Sequence, residues 1–164
     1  MKTYVETLTC PTSASKAWEA LKEMNLWLPT LSTNRAVNYD RSSDFFYQGR
    51  TYEVVTREGI TMNCEICLVD ELKKKVEIHA SHSILKSLLT CSVERIDDHR
   101  CKLTRTQAYP GVFGFVFATF FDRRESGETS EYLEIWAHHA QMLTRSQASS
   151  HRSEERRVGK ECRS

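Results

Sequence analysis

The chain has 164 residues, 40% of them hydrophobic and 27% charged, with a formal net charge of +1. That balance predicts one globular domain with enough apolar residues for a sizeable core. It excludes a membrane-spanning helix, because no run of 18 apolar residues is present, and near-neutral charge argues for no nucleic-acid partner.

In chain order, Lys2–Cys10 alternates and is rich in Thr, Val and Tyr, so it reads as a strand. Glu6 stands where a secretory signal would need its apolar run. Pro11-Thr-Ser-Ala-Ser15 offers N-cap hydroxyls to a helix with Ala17, Trp18, Leu21 and Met24 on one face. A second helical turn begins at Asn25, and Pro29 is expected to interrupt it. Six further strands follow, at Arg35–Tyr39, Arg50–Arg57, Ile60–Val69, Lys75–His82, Leu88–Ile96 and Cys101–Ala108. Their breaks are short enough for hairpins, which predicts an antiparallel sheet in sequential order.

From Gly111 the chain turns aromatic, and five of its seven Phe lie between Gly111 and Asp122. Leu133, Trp136, Ala137, Ala140 and Thr144 then recur at helical spacing. One unbroken helix from Val112 to Gln147 would run about 54 Å at 1.5 Å per residue, longer than such a domain is wide. A break is therefore expected in Asp122–Ser130, around Gly127.

Residues 152–164 form a polar run without periodicity that resembles a translated sequencing adapter, and they are set aside as a non-native, disordered tail. The expected domain is then 1–151. Without the tail, 18 positive residues stand against 19 negative ones, so the slight basic excess belongs to the tail. Five cysteines remain, Cys10, Cys64, Cys67, Cys91 and Cys101. An odd, scattered set without a signal peptide is expected as free thiols in the cytoplasm.

The order of strand, two helices, six strands and a long helix resembles the START-like, polyketide cyclase/dehydrase (SRPBCC) superfamily. The resemblance rests on Leu8-Thr-Cys-Pro11, Ala17-Trp18-x-x-Leu21 and Trp27-x-Pro29. It continues through Gly49 and Gly59, Cys101-Lys-Leu-Thr104 and Pro110-Gly111. All of these are packing and turn positions. The resemblance implies an α+β helix-grip fold, in which a seven-stranded curved antiparallel sheet wraps a C-terminal helix. It also implies that the first and last strands are neighbours, and that an apolar cavity lies between sheet and helix. A straight helix cannot fill a strongly twisted sheet, so residual volume is expected on physical grounds as well.

Alternation assigns Tyr4, Glu6, Leu8 and Cys10 to the inward face. Tyr52, Val54 and Thr56 join them, then Val76, Ile78 and Ala80, Leu89, Cys91 and Val93, and Leu103, Arg105, Gln107 and Tyr109. The expected ligand-binding residues are Glu6, Trp27, Tyr52, Val54, Arg105, Gln107, Tyr109, Phe113, Phe117, Phe120 and Trp136. Trp27 and Tyr109 are placed at the mouth, with ordinary core or rim packing the alternative for both and the favoured one for Trp27. Glu6 and Arg105 are expected to pair at one end of the cavity, leaving hydrogen-bonding capacity for a ligand's polar head.

Other chemistry is weaker. Cys64 and Cys67 have the spacing of a metal pair, but residues three apart on a strand face opposite ways. His79 and His82 fail for the same reason. His138 and His139 point about 100° apart on a helix, and a solvated face accounts for both. No metal and no cofactor are expected. Two functions remain: a binder or carrier of a small hydrophobic molecule (lipid, isoprenoid or aromatic polyketide-like), and a cyclase/dehydrase-type enzyme using cavity acid/base groups. The ligand, any reaction and the oligomeric state are not legible at this level.

Overall fold

The computed structural model describes residues 2–83, 85–110 and 130–147. Seven strands form one antiparallel sheet: β1 (Lys2–Cys10), β2 (Asn34–Asn38), β3 (Thr51–Thr56), β4 (Thr61–Asp70), β5 (Lys75–His82), β6 (Leu85–Asp97) and β7 (Arg100–Tyr109). Their order across the sheet is β1-β7-β6-β5-β4-β3-β2, so only β1 pairs out of sequence. β1 lies along β7 from Lys2 opposite Tyr109 to Cys10 opposite Cys101.

Helix α1 (Ala14–Lys22) follows β1, and Ser13 caps it by accepting the Lys16 N–H at 3.3 Å. Helix α2 (Met24–Trp27) passes directly into a 3-10 turn, Leu28–Thr30. As expected, the α-helical turn stops at Pro29: α2 ends with Leu28 as its C-cap, and Pro29 falls in the 3-10 turn. It sits in the first turn, where a missing N–H costs no intrahelical bond. Residues 130–147 are helical and are called α3 here. The expected break in Asp122–Ser130, except for Ser130 itself, lies outside the described residues, as do the segment 111–129 and the tail 152–164.

Burial follows the alternation that the sequence predicts. In β1, Tyr4, Glu6 and Leu8 are half-buried and Cys10 fully buried, while Thr3, Val5, Thr7 and Thr9 are exposed. Among the described residues the ladders carry three register shifts, at β2, β4 and the end of β6, and the one inside β4 changes parity in mid-strand. The pairing of β4 with β5 shifts between Ile66 and Leu68, so Cys67 is an extra residue that bulges out of the ladder. Beyond it Leu68 turns outward and Val69 inward. β6 also begins at Leu85, before the expected Leu88, which adds Ser87 to its inner face.

The core joins α1 and α3 to the sheet's inner face through Ala17, Leu21, Leu133, Trp136, Val93 and Leu103. Polar contacts fix the helices where apolar packing alone would let them slide. The Trp136 indole donates to the Ala17 carbonyl at 2.8 Å. At the start of α3, Glu131 accepts from both the N–H and the hydroxyl of Ser32, each at 2.6 Å. His139 meets Glu23 at 2.7 Å, so only His138 of the adjacent pair has the solvated setting expected for both. Between β2 and β3, the buried Arg50 guanidinium donates to the carbonyls of Asp40, Phe45 and Asp44 at 3.0, 2.8 and 2.5 Å. That side chain holds the loop against the core, since a buried cation needs its donors satisfied.

Candidate ligand-binding cavity

Between the inner face of the sheet, the 3-10 turn and the start of α3 lies a cavity of about 320 Å³. Its apolar wall comes from Leu28, Leu31, Val54, Met62, Ile78 and Leu89. Its polar side is formed by Arg105, Gln107, Ser87 and the phenols of Tyr52 and Tyr132. The mouth lies at the β3–β4 and β5–β6 hairpins, with Glu58, Ile60, His82 and Leu85. Gly59 makes the first hairpin possible. Its φ of +87° is left-handed backbone, and its N–H returns to the Thr56 carbonyl at 3.0 Å.

Five of the residues expected from the sequence, Tyr52, Val54, Arg105, Gln107 and Tyr109, line this cavity. Glu6 and Arg105 stand directly opposite on β1 and β7, on the same face. The Glu6 carboxylate accepts from the Ser130 hydroxyl of α3 at 2.6 Å, and Glu6 is not part of the wall. The Arg105 guanidinium lies 4.6 Å from the centre of the Tyr132 ring, a cation–π contact.

Three expected positions need correction. Trp27 is not at the mouth: it is buried, its indole donates to the Ala20 carbonyl at 2.8 Å, and its ring meets Tyr132 edge-on at 5.0 Å. Trp136 is likewise core, turned toward α1 rather than the cavity. Both follow from the indole N–H, which when buried goes where a carbonyl can take it. Tyr109, also placed at the mouth, is buried and packs edge-on against Tyr4 at 6.1 Å. Phe113, Phe117 and Phe120 lie outside the described residues.

Sequence reasoning missed Ser87 and Tyr132. Ser87 was readable in principle, since it lies two residues before Leu89 and shares its face. Tyr132 stands one position before the periodic set and carried no such signal.

The electrostatics of the wall are set by burial. Loss of water pushes the phenols of Tyr52 and Tyr132 well above their ordinary range. The Cys64 thiol is pushed up to about 12 and the Cys91 thiol to about 11 by the same cause. These groups therefore stay protonated at neutral pH and act as donors; the Cys91 thiol donates to the Tyr132 oxygen at 3.7 Å. At the mouth, His82 Nδ1 lies 2.9 Å from the Thr61 carbonyl. A carbonyl only accepts, so Nδ1 carries the proton and Nε2 is the free end of that ring in its neutral form.

A second and larger opening, about 1130 Å³, runs along the outward residues Glu53, Asn63, Glu65, His79 and Lys86 and shares Tyr52, Cys64, Ala80 and Ser87 with the inner cavity. The outward side chains are exposed and polar, so the smaller inner cavity is the better candidate for an apolar ligand.

Comparison with solved structures places the architecture. Norcoclaurine synthase from Thalictrum flavum superposes with a TM-score of 0.72 at 13% identity, covering 87% of this chain and 96% of that one. The Zhui aromatase/cyclase from Streptomyces sp. R1128 gives a TM-score of 0.66 at 13% identity, over 85% and 93% of the two chains. A hypothetical protein from Helicobacter pylori gives 0.71 at 12% identity, over 85% and 88%. The fold is the helix grip. No family model matches the sequence, and no curated protein matches it in sequence. At these identities the helix-grip likeness speaks for the architecture alone. Among the described residues no helix is long and apolar enough to cross a membrane.

Proposed function

We propose that this helix-grip protein binds one small, compact hydrophobic molecule carrying a polar head, in the cavity between the sheet and α3. The observation that carries the proposal is the cavity itself. Its wall is mostly aliphatic and aromatic, and Ser87, Arg105 and Gln107 of β6 and β7, with the phenols of Tyr52 and Tyr132, are among the polar groups it presents. Ligand sites usually span about 300–1,000 Å³, and 320 Å³ falls at the small end. A one- or two-ring compound or a short isoprenoid fits that size better than a long-chain lipid.

A carrier is favoured over an enzyme by the protonation of the wall. General acid/base work needs a group that exchanges its proton near the working pH. The buried phenols of Tyr52 and Tyr132 and the Cys64 thiol on the wall are held far above neutrality. The second reading is a cyclase-type enzyme. It is supported by His82 with its free Nε2 at the mouth and by fold neighbours that include a synthase and an aromatase/cyclase. Glu6, the acid/base candidate suggested by sequence, is committed to Ser130.

Native mass spectrometry of the purified protein, with solvent extraction of what it carries, tests the proposal. A stoichiometric small apolar molecule, recovered intact after incubation, is the expected result. Failure of any compact aromatic or isoprenoid probe to bind would sink the cavity reading. Chemical conversion of a bound polyketone, lost in His82→Asn with binding retained, would establish the enzyme instead.

A further inference from the structure

We infer that Gln107 is the ligand's polar anchor and that it selects a neutral hydroxyl, a phenol or an alcohol, on the apolar molecule. The inference rests on the cavity reading above and names the chemistry of the head group.

Gln107 lies on the inner face of β7, between Arg105 and Tyr109 and opposite Leu89 of β6. Its Nε2 donates to the Ser87 hydroxyl at 3.2 Å. Its Oε1 is buried and has no hydrogen-bond partner among the described residues. Both residues line the cavity. A carboxamide has one accepting end and one donating end, and its two orientations differ only in which end meets Ser87. As placed, the accepting end is left over. Rotated by half a turn, Oε1 would accept from the Ser87 hydroxyl and the donating end would be left over.

Either way one polar atom of the amide lacks a partner in a mostly apolar wall, and the missing partner sets the ligand's chemistry. A hydroxyl donates and accepts, so it satisfies the amide in both orientations. An ether or ketone serves only one orientation, and a hydrocarbon serves neither. A hydrocarbon would also seal Oε1 from water without replacing it, which is the costly outcome for a buried acceptor.

Two probes of nearly equal shape test this, 2-naphthol and 2-methylnaphthalene, with affinities measured by calorimetry on the full chain. A purely apolar cavity prefers the methyl compound, because a hydroxyl moved out of water without a partner is penalised. The expected result is the reverse: wild-type protein binds 2-naphthol about tenfold tighter, equivalent to about 1.4 kcal/mol. Gln107→Met keeps the length of the side chain and removes the amide. It should bind 2-methylnaphthalene at least as well as wild type and should prefer it over 2-naphthol.

An unchanged preference for 2-naphthol in a folded Gln107→Met variant overturns the assignment and moves polar recognition elsewhere on the wall. The wild-type comparison decides the matter even if that variant fails to fold, since tighter binding of 2-methylnaphthalene by wild type also overturns it. The two levels separate cleanly. Wild type that binds both probes but prefers the hydrocarbon loses only the anchor, whereas wild type that binds neither loses the cavity reading too.

Discussion

Cys64 and Cys91 sit on neighbouring parts of the inner face, buried, and burial is the main reason their thiols are pushed up to about 12 and about 11. At the far end of β1 and β7, Cys10 and Cys101 face each other across the ladder. Their mutual hydrogen bond lowers the first thiol and raises the second. Linkage gives Cys64 and Cys91 a definite sign. Both fold with a pKa above the ordinary 9.0, so the unfolded chain releases their protons first. Their contribution is complete below pH 9 and is lost as pH rises from about 9 toward 11 and 12. Tyr52 and Tyr132, raised from 10.0, act in the same direction at higher pH. The urea midpoint should therefore hold steady from pH 7 to 8.5 and fall between pH 9 and 10.5. A Cys64→Ala, Cys91→Ala double variant should fall less steeply, and an equally steep fall would assign the alkaline loss to other groups. The free thiols were readable from the odd cysteine count, and alternation put Cys10 and Cys91 on the inward face, where both are buried; Cys64 carried no such assignment. Arg50 was not readable at all. One Arg between Gly49 and Thr51 looks like any strand-end cation, because its partners are loop carbonyls whose directions no side-chain pattern encodes.

At the scale of elements, period-two alternation was enough to place β1, β3, β5, β6 and β7 with the right side inward, because one face of each is buried. Alternation fails where one residue is added. Cys67 bulges from β4, and nothing in Cys64-Glu-Ile-Cys67 announces it, since bulges answer to the neighbouring strand. The same limit explains the tryptophans. Helical spacing put Trp136 on the buried face of α3 but could not say that the indole would turn toward α1. That contact makes α3 a clasp between α1 and the sheet: Trp136 is fully buried and bonded to Ala17, while Glu131 and His139 tie other turns of α3 to Ser32 and Glu23. Trp136→Ala should destabilise the fold by about 3–5 kcal/mol, the usual cost of removing a large buried aromatic. Trp136→Phe keeps most of the volume and should cost about 1 kcal/mol, near the value of the lost hydrogen bond. Equal losses in the two variants, read from urea denaturation, would mean that packing at Trp136 matters less than its single polar contact.

The whole molecule is closed by its first strand. From β2 to β7 the sheet is a meander in which each strand pairs with the next, and only β1 returns across the chain to pair with β7. That pairing could not be derived from alternation, which fixes faces and not neighbours; it came with the resemblance in architecture. The consequence is an asymmetry between the two ends of the chain. Without residues 1–10, β7 would present a bare edge of unpaired backbone groups. The buried Cys10 and the half-buried Tyr4, Glu6 and Leu8 would also be lost from the inner face. Such a truncation should abolish the cooperative thermal transition and leave an aggregating chain. Residues 152–164 lie outside the described residues, and their sequence has no apolar face to bury. Deleting them should leave the melting temperature unchanged within error and the affinity for a cavity probe intact. The paired measurement is calorimetry of both truncations beside the full chain. A stable, cooperative protein lacking residues 1–10 would show that β1 does not close the sheet. A marked loss on removing 152–164 would show that the tail belongs to the fold.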